Sequence, residues 1–255
     1  LTTPYGTVGM FISEGGLDLE DGASQSVYAR PTDAGDPSAT SDNYTIDSYN
    51  NVQYHMPADM LPFGIVGKIA YAPDLDAYGS GNNTGVESVE GTATYPGRSA
   101  TEYQVKANPI DGLNIGASYF TFDKQGAAKK DQEAESGSYM ATYAVGNFTV
   151  GYSKGFKAEL VTDSENAGWD DYDQTNYSVA MVVNDDLSIS YEKEKSKANA
   201  NVDSTADVEQ ASTSYQLAYN MGGMTLAIVR SSHDNNGYVE NANQDQTLFA
   251  VTMAF

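Results

Sequence analysis

Along most of this chain large apolar side chains recur at every second position, and the 3.6-residue period of an amphipathic helix is almost nowhere to be found. Between Gln246 and Phe255, the residues Phe249, Val251, Met253 and Phe255 share one face, while Leu248, Ala250, Thr252 and Ala254 share the other. The same rule sets Tyr177, Val179, Met181 and Val183 against Asn176, Ser178 and Ala180. It also sets Leu187, Ile189 and Tyr191 against Ser188, Ser190 and Glu192. Successive strand side chains point to opposite faces, so each run predicts a strand with one greasy face and one small or polar face. Twelve strands are predicted, over residues 6–13, 48–56, 64–71, 100–108, 113–122, 138–145, 148–156, 176–183, 187–195, 212–220, 224–231 and 247–255.

The connections alternate between short and long. Tight turns rich in Asn, Asp and Gly occupy 108–112, 146–147, 184–186 and 220–223, with 57–63 slightly longer. Polar, acidic connections occupy 14–47, 72–99, 123–137, 157–175, 196–211 and 232–246. A sandwich has no reason to gather every long loop at one end, whereas a transmembrane antiparallel β-barrel does. Tyr54, Tyr71, Tyr103, Tyr119, Tyr152, Tyr177, Tyr191, Tyr215 and Tyr219 fall on the apolar parity near strand ends, where an amphipathic ring suits a headgroup boundary. The mean hydropathy of -0.46 would otherwise suggest a soluble protein. No apolar run approaches the roughly 20 residues of a membrane helix.

Composition narrows the chemistry. The 255 residues carry 13 Lys and Arg against 35 Asp and Glu, a net charge of -22, with two His and no Cys. Disulfides, thiolate metal sites and His-rich metal centres are therefore excluded, and a nucleic-acid partner is not expected. No cofactor is expected. Calcium between carboxylates is conceivable at Trp169-Asp170-Asp171-Tyr172-Asp173 or at Asp74 with Asp76, although neither matches an EF-hand loop.

The alternating strands, the long acidic loop after Thr7-Val8-Gly9-Met10-Phe11-Ile12, and the last strand ending in Phe255 together resemble a Gram-negative general diffusion porin over the whole chain. The resemblance implies a bacterial outer-membrane location and a homotrimer in contact with membrane lipid and lipopolysaccharide. It implies passive diffusion of small hydrophilic solutes and no enzyme activity. It also implies that Phe255 serves barrel assembly and closure. Family porins have 16 strands and an inward-folded third loop after strand five. Matching that loop to the longest one here makes this single barrel domain, 1–255, the C-terminal part of a 16-stranded porin; a complete 12-stranded barrel is the alternative.

The segment 17–47 is the candidate inward-folded constriction loop. It supplies Asp18, Glu20, Asp21, Asp33, Asp36, Asp42 and Asp47 against the single Arg30. Lys68, Glu102 and Lys106 are the charged positions of the opposite parity on neighbouring strands, and they resemble part of the wall facing a porin constriction. Small polar residues of that parity, such as Gln104, Ser118, Ser178 and Ser190, suggest a wettable lumen and hence a channel. Carboxylates ionised at neutral pH then suggest mild cation preference. Two other functions are conceivable, an adhesive or binding barrel and a lipid hydrolase. His233, which follows Ser231 and Ser232, reads as a surface histidine, and GSGNNTG at 79–85 reads as a loop tip.

Overall fold

The computed structural model describes residues 1–34, 42–73, 75, 99–123, 132–161, 168–202 and 205–253. Asp36, Asp74, Asp76, the segment 79–85 and Phe255 lie outside the described residues. The chain forms one antiparallel sheet in which every strand pairs with its neighbour in sequence. Its strands are β1 (Thr2–Thr3), β2 (Gly6–Phe11), β3 (Asn51–His55), β4 (Val66–Ala72), β5 (Ser99–Ile110), β6 (Leu113–Asp123) and β7 (Glu135–Val145). They continue with β8 (Phe148–Ala158), β9 (Trp169–Val182), β10 (Leu187–Ala200), β11 (Val208–Asn220), β12 (Met224–Asp234) and β13 (Gln244–Met253). The fold is all-β, in keeping with a transmembrane barrel. Among the described residues no pairing links β1 or β2 to β13.

The structure corrects the expected strand count from twelve to thirteen, because the two-residue β1 pairs with β2. It also lengthens the strands at the end that carries the long loops. β9 begins at Trp169 instead of 176, and β10 runs to Ala200 instead of 195. These extensions read Trp-Asp-Asp-Tyr-Asp-Gln-Thr and Ser-Lys-Ala-Asn-Ala, with no apolar parity to announce them. Backbone pairing needs no greasy face: the inward residues of the extensions, such as Gln174, Ser196 and Ala198, are buried but small or polar, and the ladder continues past the point at which alternation stops. Lys195 with Glu209 at 2.7 Å and Lys197 with Asp207 at 2.6 Å form ion pairs across the extended ends of β10 and β11.

The two parities separate as expected. On β5, Tyr103 and Val105 are 45% and 46% exposed, while the alternate residues Glu102 and Gln104 are 1% and 6% exposed. The outward tyrosines also reveal how the strands lean. Tyr103 pairs with Tyr119, and Tyr139 lies two residues lower in the ladder. Tyr152 with Tyr177 lies two lower again, and Tyr191 with Tyr215 a further two. The ring band therefore descends six residues from β5/β6 to β10/β11, a centre-to-centre distance of five strand intervals. At ~3.3 Å per residue and ~4.8 Å between strands, that is a tilt of about 40°, as a membrane barrel requires. A level girdle on tilted strands follows from residue positions alone.

Two measurements check this orientation. In lipid vesicles, a cysteine at Val105 is expected to resist a water-soluble maleimide, whereas one at Asn114, on the opposite face of β6, is expected to react. Val150 lies between Phe148 and Tyr152 on the lipid side, and Val150→Arg is expected to lower unfolding stability by about 2 kcal/mol in vesicles.

Candidate functional site: an inward loop on a polar track

Between β2 and β3 the chain turns onto the inner face of the sheet and crosses it strand by strand. The Glu102 carboxylate on β5 accepts the Leu17 N–H at 3.3 Å and the Ile46 N–H at 2.9 Å, so one oxygen holds both limbs of the loop. The Gln104 amide donates to the Leu17 carbonyl at 2.6 Å. Next, the Leu19 N–H is shared by the hydroxyls of Ser118 on β6 and Ser138 on β7, at 3.1 and 3.2 Å. Both hydroxyls contact the Asp18 carboxylate, at 3.1 and 3.0 Å. On β8 Ser153 donates to the Glu20 carbonyl at 2.7 Å, and on β9 Ser178 donates to the Ala23 carbonyl at 2.6 Å.

The crossing continues over β10. The Ser24 hydroxyl donates to Glu192 at 2.7 Å, and Glu192 also accepts from the Ser26 hydroxyl and the Asn176 amide. Ser190 accepts the Val27 N–H at 3.0 Å, and Glu194 accepts the Thr32 N–H at 3.1 Å and its hydroxyl at 2.8 Å. Gln216 on β11 takes the Tyr28 and Ala29 N–H groups, and Gln246 on β13 reaches the Ala34 carbonyl. A segment without a regular backbone ladder thus finds its partners in side chains of the wall. Each such bond is worth about 1 kcal/mol net, more where a carboxylate accepts.

Close approach needs small wall residues. A β-carbon built on Gly151 would lie 1.8 Å from the Ala23 carbonyl oxygen, and one on Gly116 would lie 2.7 Å from the Leu19 side chain. A compact apolar cluster seats the return limb. Tyr44, Ile46 and Leu17 pack with Ala70, Ala100, Phe120 and Phe122, the Tyr44 ring standing edge-on to Phe122 at 5.0 Å. The Tyr44 hydroxyl donates to Glu159 at 2.6 Å, and the Lys157 ammonium lies 4.8 Å from the Tyr44 ring centre.

The charges of the loop sort into two groups. Arg30 binds Asp21, Asp33 at 2.9 Å and Glu194 at 3.5 Å, tying the loop to itself and to β10. Surrounding protein strips solvent from the Glu20 carboxyl and raises it well above the ordinary carboxylate range; Asp21 and Asp18 add to the rise, which the Asn43 N–H opposes. Loss of solvation likewise raises Asp21 to about 6 against the pull of Arg30, with Asp42, Asp18 and Asp33 adding to it. Asp21, Asp33 and Asp42 are exposed on the inner side, and Asp47 lies beside Gly16.

Glu102 takes a different place from the one expected. It is buried beneath the loop and serves as its clasp, so it does not stand with Lys68 and Lys106 on an open facing wall. Lys68 and Lys106 both sit on the inner face, where β4 residue Lys68 pairs with Gln104, two positions before Lys106. The small polar residues are also corrected. Ser118, Ser178 and Ser190 are 7%, 6% and 7% exposed and lie under the loop instead of lining water. Parity places Glu192 and Glu194 on the inner face, but it does not reveal that they hold the loop, and it misses the apolar inner patch around Phe120 and Phe122. The available signal was the aromatic on both parities at Tyr119-Phe120 and the carboxylates on the small-residue face of β10.

His233 is corrected as well. It is 0% exposed, on the inner face of β12, with Nδ1 2.9 Å from the Ser212 hydroxyl and Nε2 3.2 Å from the Gln246 amide. Of the candidate calcium cluster, Asp171 and Asp173 share one face of β9 and face Asn199, while Asp170 points the other way. Among the described residues no group of three or more His, Asp or Glu side chains is arranged to hold a metal.

No protein-family model and no curated protein matches the chain. Several solved structures do. OmpT of Vibrio cholerae, expressed in the outer membrane, matches at 14% identity and a TM-score of 0.58, over 96% of this chain and 75% of that one. A trimer form of OmpT from Vibrio cholerae, folded in vitro, matches at 14% identity and 0.58, over 98% and 76%. A variant of the same protein lacking loop L8 matches at 16% identity and 0.56, over 98% and 76%. The fold is that of an outer-membrane β-barrel, in line with the expected outer-membrane location. The expectation that the chain is not an enzyme is corrected here: the neighbours are outer-membrane proteins named OmpT, and a likeness of 12–16% identity carries the barrel alone, so catalysis is not excluded.

Removing the clasp tests the docking. Glu102→Ala strands two buried N–H groups and is expected to lower stability by about 3 kcal/mol in denaturant titration, with Glu102→Gln less harmful because its carbonyl still accepts. Gly151→Val is expected to lift the loop from β8 and expose 14–34 to protease while the strands stay folded.

Proposed function

We propose that the chain is a passive diffusion channel for small hydrophilic solutes and ions, with the inward loop as its constriction and with a mild preference for cations. The observation that carries this reading is a single one: a long acidic loop, bonded to successive strands, occupies the inner face of an outer-membrane barrel fold. Such a loop narrows whatever space the wall encloses and sets its charge. Asp18, Glu20, Asp21, Asp33, Asp42 and Asp47 are the described carboxylates of that constriction, and Asp36 belongs to the same segment. Arg30 neutralises only part of this charge. Charges at the edge of a narrow aqueous passage act within about one Debye length, near 8 Å at physiological salt, so the passing ion feels them. Lys68 and Lys106 supply local positive charge on the wall. Homotrimer assembly is part of the proposal, and the trimer form of one OmpT neighbour supports it.

Conductance across planar bilayers tests the channel, and the reversal potential in a salt gradient tests its selectivity. Open-channel currents with cation preference are expected; absence of conductance or clear anion preference overturns the reading. The preference should also weaken between pH 7.5 and pH 5. A carboxyl at about 6 is charged above that pH and takes a proton below it, whereas ordinary carboxylates near 4 stay charged throughout. Asp21→Asn is expected to shrink that step, leaving whatever part the raised Glu20 carboxyl contributes.

A further inference from the structure

Where β9 begins, the ladder makes an irregular step. Asn199 pairs with Asp171, but the next residue of β10, Ala200, pairs with Trp169, so Asp170 is one residue more than the ladder needs. Such a bulge re-aims a side chain. By simple alternation Trp169 would face outward with Asp171 and Asp173. The extra residue turns it onto the inner face instead, where the buried Ala198 and its partner Tyr172 lie. Trp169 is the chain's single tryptophan.

A third ring arrives from another connection. Tyr238, between β12 and β13, places its hydroxyl 2.7 Å from the Ser196 hydroxyl on the inner face of β10, while the Gly237 N–H donates to the Gln210 side chain at 2.8 Å. The Tyr238 ring centre lies 5.3 Å from that of Tyr172 and 6.4 Å from that of Trp169. Its backbone is left-handed, with φ 58°, which a bulky residue adopts only where its surroundings hold it. All three rings stay half-buried.

What such rings can hold is visible beside them. The Lys157 ammonium stands 4.8 Å from the Tyr44 ring centre and 5.8 Å from that of Tyr172, and it pairs with Glu159 at 2.9 Å. On this face, then, ring and carboxylate together hold a cation. Trp169, Tyr238 and Asp170 repeat that combination, and the Asp170 carboxylate makes no hydrogen bond or ion pair among the described residues. The planes of Trp169 and Tyr172 are turned from that of Tyr238 by 52° and 53°. No flat platform results for a sugar to lie across, whereas a rounded cation can meet ring faces set at an angle. A primary ammonium would need acceptors for its N–H groups, which rings supply poorly; methyl groups need only the apolar ring faces.

We propose that Trp169, Tyr172, Tyr238 and Asp170 bind a small soluble quaternary ammonium solute, its methyl groups against the rings and its charge balanced by Asp170. A net charge of -22 favours the approach of a cation over that of a neutral or anionic solute. The site names one solute class for the channel and in that sense rests on the channel reading; binding itself rests on the inner-face geometry.

The test titrates the full chain, in a nonionic glucoside detergent free of choline headgroups, with choline chloride while the emission of Trp169 is followed. A saturable change is expected, which equal potassium chloride does not reproduce. Tyr238→Leu removes a ring and Asp170→Asn removes the charge, and each is expected to raise the half-saturating choline concentration about fivefold. Heat-modifiable gel mobility confirms folding, and Asp170→Asn decides the matter if Tyr238→Leu does not fold. The neutral alcohol in which carbon replaces the choline nitrogen should leave the emission unchanged over the same range. Absence of a choline response overturns the proposal, as does unchanged affinity in Asp170→Asn. So does an equal response to the neutral alcohol, which marks a plain apolar hollow, to potassium chloride, which marks diffuse charge, or to maltose, which marks a sugar platform. Conductance in planar bilayers without choline binding sinks this inference alone, and choline binding without conductance sinks the channel reading alone.

Discussion

The structure depends on how a loop with no ladder of its own satisfies its backbone against a wall. Strands settle their N–H and C=O groups with neighbouring strands, but residues 14–34 cross the strands and cannot join that pattern. An uncompensated buried N–H costs about 1–3 kcal/mol, so the loop stays down only if the wall answers it group by group. Glu102, Ser118, Ser138, Ser190, Glu194 and Gln216 do so for its N–H groups, while Gln104, Ser153 and Ser178 do so for its carbonyls. Once that track exists, the inner residues must be small and must carry hydroxyl, amide or carboxylate groups. The outward residues are then free to meet lipid.

A carboxylate serves a clasp better than a hydroxyl because each oxygen can accept more than one strong bond. Glu102 uses one oxygen for two N–H groups that lie far apart in sequence, and Glu192 gathers two loop hydroxyls and a wall amide. Both are almost wholly buried. Their acceptor oxygens are therefore taken up in holding the loop, whereas Asp21, Asp33 and Asp42 stay exposed on the loop's open side. Wall acids and loop acids look alike in a composition count, yet they have different tasks.

That difference marks how far the sequence could be read. Strand identity, parity and the alternation of short and long connections were legible because lipid on one face enforces a strict period of two, as at Tyr103 and Val105 against Glu102 and Gln104. The inward loop was legible from its length and acidity through a family resemblance. What lay under it was not. Ser178 and Ser190 read as water-lining because alternation reports which side of the sheet a residue faces, not what covers it. The polar extension of β9 from Trp169 escaped notice for a related reason, since above the bilayer the ladder persists without any hydrophobic signature. His233 read as a loop residue on the same false boundary, and its imidazole proved to be sealed against Ser212 and Gln246.

The tilt deduced from the tyrosines joins these threads. A strand leaning about 40° moves sideways as it rises, so residues level in the membrane are not paired in the ladder. The loop crosses from β5 to β13, and its contacts also shift along the strands, from Glu102 and Gln104 on β5 to Gln216 on β11, near the level of Tyr103 at one end and Tyr215 at the other. Loop and girdle thus follow the same descending line on opposite faces of one sheet. The loop consequently lies at the depth of the tyrosine band, and the geometry that levels the rings on the outer face also levels the loop on the inner face.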